Sequence, residues 1–161
     1  MTTRRNDPDH PVDDQPVDAI ALLKEDHQRV RDLFAHYDGT SNAESKWTLA
    51  EEVFAALETH AQLEEHIFYP TVNEETEEGP ALVKDSLHEH ATVKQLIATL
   101  RQMGPQHQEF DAKFHALMRH VEHHVAEEEA HMFPLAEEEL AEDLDEMCAE
   151  MQALKQALLA S

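Results

Sequence analysis

Apolar side chains recur at intervals of three and four residues through most of the chain, which is the spacing of one face of an α-helix. No segment alternates apolar and polar residues as a strand does. The main interruptions fall near the three glycines, Gly39, Gly79 and Gly104. The pattern predicts helices at residues 18–37, 43–69, 80–103, 107–133 and 136–159.

Prolines support these limits. Pro80 and Pro105 each follow a glycine and suit a first helical turn, whereas Pro70 and Pro134 are expected to end the second and fourth helices. Short connections make successive helices antiparallel neighbours. The sequence therefore predicts an all-α fold, an up-down-up-down four-helix bundle with an additional C-terminal helix.

The chain divides into three predicted regions. Residues 1–16 are polar and proline-containing, and we expect a disordered N-terminal leader. Residues 17–135 form the predicted bundle. Residues 136–161 form a C-terminal helix expected to pack on the bundle, although its apolar stripe could instead form a dimer; that stripe contains Leu140, Leu144, Met147, Met151, Leu154 and Leu158.

Polar residues interrupt the apolar face of each of the first four helices. The face carries His27 in the first helix, His60 and Glu64 in the second, His90 in the third, and His124 and Glu128 in the fourth. Each of the four histidines lies about ten residues from a proline, which precedes the histidine in the first and third helices and follows it in the second and fourth. Because successive helices run in opposite directions, all four prolines lie at the same end of the bundle. At a rise of roughly 1.5 Å per residue, each histidine is then about 15 Å from that end. The six side chains are therefore expected to converge in one buried layer.

A repeat underlies this layer. HAQLEEHIFYP at residues 60–70 returns as HVAEEEAHMFP at residues 124–134. H-x-x-x-E places an imidazole and a carboxylate one turn apart on one face, and two copies suit two metals about 3.5 to 4 Å apart. A buried hydrogen-bonded His/Glu network is the alternative, but no Lys or Arg lies at these positions to balance the carboxylates.

The ordered series resembles the bacterial hemerythrin-like (HHE cation-binding) domain over about residues 18–135. It consists of His27, the H-x-x-x-E pair of His60 and Glu64, Glu89 with His90, and the second pair of His124 and Glu128, with FYP and MFP after the two pairs.

The resemblance implies a four-helix bundle that holds two irons joined by an oxo or hydroxo bridge. Transferred residue by residue, the four histidines would be terminal ligands, while Glu64 and Glu128 would bridge the irons. Glu129 is an alternative to Glu128, and His131 or His88 could also contact metal. Imidazole and carboxylate ligands would also suit zinc or manganese.

The sequence departs from the oxygen-carrying relatives one turn before His90, where they have a second histidine and this chain has Ser86. About two of the metal coordination positions would then be exchangeable. This difference favours reaction with dioxygen, peroxide or nitric oxide over reversible storage of dioxygen. Catalase-like, peroxidase-like or nitric-oxide-handling activity is therefore open, and no separate catalytic residue is assigned.

Composition narrows the alternatives. The net charge of −23 should repel nucleic acid and anionic membrane surfaces. The single cysteine, Cys148, excludes an internal disulfide, and no apolar run is long enough to cross a bilayer. We expect a cytoplasmic protein, monomeric or homodimeric, whose partner is a small molecule; a metal-dependent signalling or scaffolding module without turnover is the competing hypothesis.

Overall fold

The computed structural model describes residues 16–160, so the predicted leader lies outside the described residues except for Pro16. The described chain has seven α-helical segments and no strand. The α-helices are α1 (Ala19–Asp38), α2 (Ala43–Leu63), α3 (Tyr69–Glu75), α4 (Gly79–Met103), α5 (Phe110–Glu127), α6 (Phe133–Glu139) and α7 (Leu144–Leu159). Two π-helical segments, Glu64–Phe68 and Glu128–Met132, join α2 to α3 and α5 to α6.

Because each π-helical segment continues the helix before it, the segments form four long bundle helices and α7. The helix α1 packs beside α2, and α4 packs beside α5, while α7 lies against α1 and α2. The predicted fold, a helical bundle with an additional C-terminal helix, is confirmed. Within residues 16–160, no helix combines the length and apolar character that a membrane crossing needs.

The two prolines expected to end helices do not end them. In each case a backbone N–H bonds to a carbonyl five residues earlier, from Tyr69 to Glu64 and from Phe133 to Glu128. This wider turn comes immediately before Pro70 and Pro134 and accommodates the proline ring, which would clash inside a regular α-helix. The second and fourth bundle helices therefore extend to Glu75 and Glu139.

The last predicted helix is also divided differently. Its first residues belong to α6, and a turn at residues 140–143 separates them from α7. Leu140 leaves the helical conformation, with φ −119° and ψ 20°, while its side chain is almost fully buried. The turn redirects the chain so that Met147 and Met151 of α7 pack into the core near Leu22 and Leu23 of α1.

Local residues fix the helix ends. The Asp18 carboxylate accepts a hydrogen bond from the Ala21 N–H at 2.9 Å, and the Asn42 side chain does the same for the start of α2. Gly79 starts α4, where a Cβ atom would overlap the Val72 carbonyl. Only glycine fits this close approach between α3 and α4.

The core consists of two apolar clusters on either side of the histidine layer. One contains Leu23, Leu63 and Phe68 and continues into α7. The other contains Val30 and Phe114 and fills the opposite end of the bundle. The polar layer therefore lies between two packed apolar regions, where water cannot easily balance its charges.

Candidate metal centre

The structure brings the six sequence-predicted site residues into one buried layer. The relative exposure of these six residues does not exceed 7%; they are His27, His60, Glu64, His90, His124 and Glu128. The four histidines come from the four bundle helices, and each glutamate starts a π-helical segment. Their potential ligand atoms form two groups that share Glu64.

The first half of the centre lies between α1 and α2. The Nε2 atoms of His27 and His60 are 3.1 Å apart. His27 Nε2 lies 3.2 Å from Glu128 Oε1, and His60 Nε2 lies 3.0 Å from Glu64 Oε1. Two imidazole nitrogens and two carboxylate oxygens thus face one another.

The second half lies between α4 and α5. The Nε2 atoms of His90 and His124 are 3.2 Å apart. His90 Nε2 is 3.2 Å from Glu64 Oε1, and His124 Nε2 is 3.5 Å from Glu128 Oε2. Both carboxylates therefore contact both halves, which is the arrangement that two bridged metal ions require.

Four further carboxylates form a second ring around the inner six residues. Each contacts Nδ1, the outer ring nitrogen, of one of the four central histidines. Each helix supplies one carboxylate, which reaches the histidine of the next helix around the bundle. The Nδ1 contacts are His60 with Asp26 at 3.1 Å, His90 with Glu65 at 3.0 Å, His124 with Glu89 at 2.9 Å and His27 with Glu129 at 3.2 Å.

An Nδ1–H that donates to a carboxylate leaves the lone pair of Nε2 directed into the centre. All four Nε2 atoms then act as acceptors. Within the described part of the chain, the buried side-chain oxygens without a hydrogen-bond partner are both oxygens of Glu64 and Oε1 of Glu128. A cluster in which acceptors far outnumber donors fits bound cations, since these would balance both the lone pairs and the carboxylate charge.

The pKa values of two of the central histidines also indicate that the cluster favours positive charge. Burial alone would lower the pKa of His60, but the charges of Glu64 and Asp26 hold it well above its ordinary value. Burial likewise opposes protonation of His124, yet contacts with Glu64 and Glu128 raise its pKa to about 9. Without metal, the cluster attracts protons in place of cations.

The two central carboxylates differ in their environments. Burial raises the pKa of Glu64, but the neighbouring charge on His60 outweighs it and holds the pKa well below its ordinary value. Burial and the Glu64 charge together raise the pKa of Glu128. Two adjacent carboxylates resist simultaneous ionisation unless positive charge lies between them.

Tyr69 was not among the site residues that the sequence predicted. The Tyr69 hydroxyl donates to Glu128 Oε2 at 2.6 Å and lies 3.1 Å from His90 Nε2. It also interacts with Ser86, the residue one turn before His90. The small Ser86 side chain therefore lies beside a hydroxyl oxygen that is within 3.4 Å of the Nε2 atoms of His90 and His124.

The π-helical segment explains how Tyr69 reaches the centre. A spacing of five residues after Glu64 would turn Tyr69 away from the site in a regular α-helix, whereas the wider π turn brings it back towards the same face. The matching residue of the repeat is Phe133, whose ring stacks on His27 with centroids 5.6 Å apart. The repeat is thus chemically asymmetric at its tenth position, with a hydroxyl beside one half and a phenyl ring beside the other.

The other candidates lie outside the inner layer. Glu129 contacts the outer nitrogen of His27 and belongs to the second ring. The His131 side chain is 60% exposed and lies near Glu127, and His88 is also exposed. Among the described residues, no hydrogen bond or ion pair joins either histidine to the inner six residues.

Comparison with known proteins adds independent information. The family model for the hemerythrin HHE cation-binding domain matches residues 18–136 and, in a second match, residues 86–160. A crystal structure of a hemerythrin HHE cation-binding domain-containing protein from Mycobacterium kansasii aligns with a TM-score of 0.77 and 23% identity, covering 88% of this chain and 87% of that chain. This likeness shows the fold.

Two relatives are similar in sequence. A protein of Nostoc sp. named DNA nickase is 24% identical over 144 residues, 89% of this chain and 40% of the relative. An uncharacterized hemerythrin-like protein of Schizosaccharomyces pombe is 25% identical over 124 residues, 76% of this chain and 61% of the relative. The chain thus spans only part of each relative, whereas the family match covers most of the chain itself. The chain belongs to the hemerythrin HHE cation-binding domain family.

Proposed function

We propose that the chain is a cytoplasmic non-heme protein with two irons, which binds or reacts with a small molecule such as dioxygen, peroxide or nitric oxide. The observation that carries this proposal is the convergence of four imidazole nitrogens and two buried carboxylates beside a small apolar cavity of about 40 Å³. The donors fit metal cations, and the cavity suits a ligand of few atoms.

His27 and His60 would hold one metal, and His90 and His124 the other, with Glu64 and Glu128 shared between them. Tyr69 could supply a further oxygen to the second metal. Iron, when bound, would supply redox chemistry and exchangeable ligand positions. The donor types also suit zinc or manganese, which elemental analysis distinguishes from iron.

The chain's own residues perform three tasks in this proposal. The outer carboxylates fix each imidazole with Nε2 directed inward. The aliphatic walls of the cavity exclude bulk water from the histidines. The Tyr69 hydroxyl holds a proton at a distance of 2.6 Å from Glu128, because burial and the adjacent carboxylates raise its pKa well above the ordinary value.

The first experiment measures metal per folded chain after expression with iron available, for the wild type and a Glu64→Gln/Glu128→Gln variant. We expect about two irons per wild-type chain and loss of both in the variant, because the shared carboxylates are removed while side-chain size is kept. An Asp32→Asn variant changes an exposed carboxylate and serves as the control. No stoichiometric metal in the wild type would refute the proposal.

Reactivity is tested on the iron-loaded protein with hydrogen peroxide and nitric oxide, beside His60→Ala. Turnover lost in the variant supports an enzyme, whereas metal-dependent association with a protein partner and no turnover supports a signalling or scaffolding module. The name of the Nostoc relative adds DNA cleavage to the assays. We expect supercoiled plasmid to remain intact, because a net charge of −23 opposes contact with phosphates.

A further inference from the structure

The cavity beside the histidines has walls of two kinds. One wall consists of the four histidines, and the rest is mainly aliphatic, formed by Val30, Leu57, Val93, Ile97, Val121 and Val125. Its volume of about 40 Å³ compares with roughly 30 Å³ for a water molecule in the liquid. The cavity therefore suits a ligand of few atoms.

A groove on the protein surface lies next to this cavity, between α2 and α4. It has a volume of about 400 Å³, and its walls include two acidic and two basic side chains, Glu58, Glu65, Lys94 and Arg101. The groove and the cavity share four lining residues, which we call the neck; they are Glu58, Ala61, Lys94 and Ile97. The neck therefore lies between the surface groove and the cavity that the histidines line.

The chemistry of the neck is apolar at its centre and charged at its rim. Ala61 and Ile97 are buried, with 9% and 3% relative exposure. The charged ends are held by ion pairs, between Lys94 and Glu65 at 2.8 Å and between Arg101 and Glu58. Since these pairs keep the charges at the surface, an uncharged molecule meets mainly aliphatic side chains beyond the rim.

Ala61 has the smallest side chain of the four neck residues and directly follows His60 in the chain. A larger side chain there would project between the groove and the cavity, since Ala61 lines both. Ala98 lines the groove but not the cavity, and its side chain is exposed. The two alanines thus provide a matched pair on the same surface.

The geometry points to the neck between α2 and α4 as the entrance through which uncharged ligands of two or three heavy atoms reach the metal centre, with Ala61 as the residue that limits ligand size. This inference rests on the proposed function for its ligand class. The passage itself depends only on the packing of α2 against α4, so it can be tested without iron chemistry.

The first test uses xenon as an apolar probe of the zinc-loaded protein, followed by ¹²⁹Xe nuclear magnetic resonance. We expect xenon exchange with the cavity in the wild type and in Ala98→Phe, and exchange slower by about tenfold or more in Ala61→Phe. Ala61→Leu is the milder variant if Ala61→Phe fails to fold. Equal exchange rates in the wild type and a folded Ala61 variant would overturn the assignment, as would equal slowing by Ala98→Phe.

The second test measures nitric oxide association with the iron-loaded protein by stopped-flow absorbance, together with metal content. The association rate should fall by about tenfold in Ala61→Phe at unchanged metal content, and remain close to wild type in Ala98→Phe. Failure of the wild type to bind iron or nitric oxide would refute the proposed function, while the xenon result would still decide the entrance.

Discussion

Replacement of Tyr69 by phenylalanine isolates one hydroxyl group at the candidate metal centre. The Tyr69 side chain is 1% exposed, and its hydroxyl donates to the buried Glu128 carboxylate at 2.6 Å. Tyr69→Phe keeps the ring and removes this donor. The carboxylate oxygen is then left without compensation in a region that water cannot easily enter.

The size of the effect follows from the burial of both partners. A hydrogen bond to a charged group contributes about 1.5–3 kcal/mol, so we expect the free energy of unfolding of the metal-free protein to fall by about 2 kcal/mol. For a domain of this size, that change corresponds to a decrease in Tm of about 6 °C. Thermal unfolding by circular dichroism and urea titration measure both quantities.

Tyr37 provides a matched control within the same bundle. Its ring is also fully buried, and its hydroxyl donates to Asp111 at 3.0 Å. The Asp111 side chain is 54% exposed and also pairs with Lys46, so water and the ammonium group replace the lost donor. Tyr37→Phe should therefore cost about 0.5–1 kcal/mol.

Metal content separates a role at the centre from a role in packing. Tyr69→Phe should weaken the metal at His90 and His124 more than the metal at His27 and His60, because the hydroxyl lies beside the former pair. Tyr37→Phe should leave metal content unchanged. If the two variants lost equal stability and both kept wild-type metal content, the assignment of the Tyr69 hydroxyl to the centre would be wrong.

Two further predictions concern the histidines. In the metal-free protein the pKa of His124 is about 9, above the ordinary value of about 6.5. Its proton therefore stabilises the fold fully below about pH 6.5, and this contribution is lost as the pH rises through 9. Urea titrations across this range should show a loss of about 3 kcal/mol in the free energy of unfolding, and a flat profile would contradict the assignment. Asp26→Asn removes the carboxylate that holds His60 Nδ1 and should weaken metal binding by about 10- to 100-fold in chelator competition. Asp32→Asn changes an exposed side chain on the same helix and should have no effect. Equal metal affinities in the two variants would refute this role of Asp26.

The outer carboxylates connect the centre to the rest of the protein. Asp26 pairs with Lys155 of α7 at 2.7 Å, and Glu65 pairs with Lys94 at 2.8 Å. Each carboxylate therefore accepts from a histidine on one side and from a cation on the other. Through Asp26, Lys155 of the C-terminal helix is therefore connected to the outer nitrogen of His60.

The sequence by itself determined the all-α fold and the layer of six polar residues. Helical spacing places His60 and Glu64 on one face, and the distances from the prolines align the histidines of successive helices at the same depth. Both relations depend on local helix geometry, which does not change when the helices pack. The sequence pattern was therefore sufficient to predict that the histidines meet.

Only the tertiary structure decided the surroundings of that layer. Pro70 and Pro134 were expected to end helices, but π turns carry the chain past them and turn Tyr69 towards Glu128. The ring of outer carboxylates was also missed, because each of them reaches a histidine on a neighbouring helix. Such contacts depend on the rotation and separation of packed helices, and a periodic pattern along one helix does not contain either quantity.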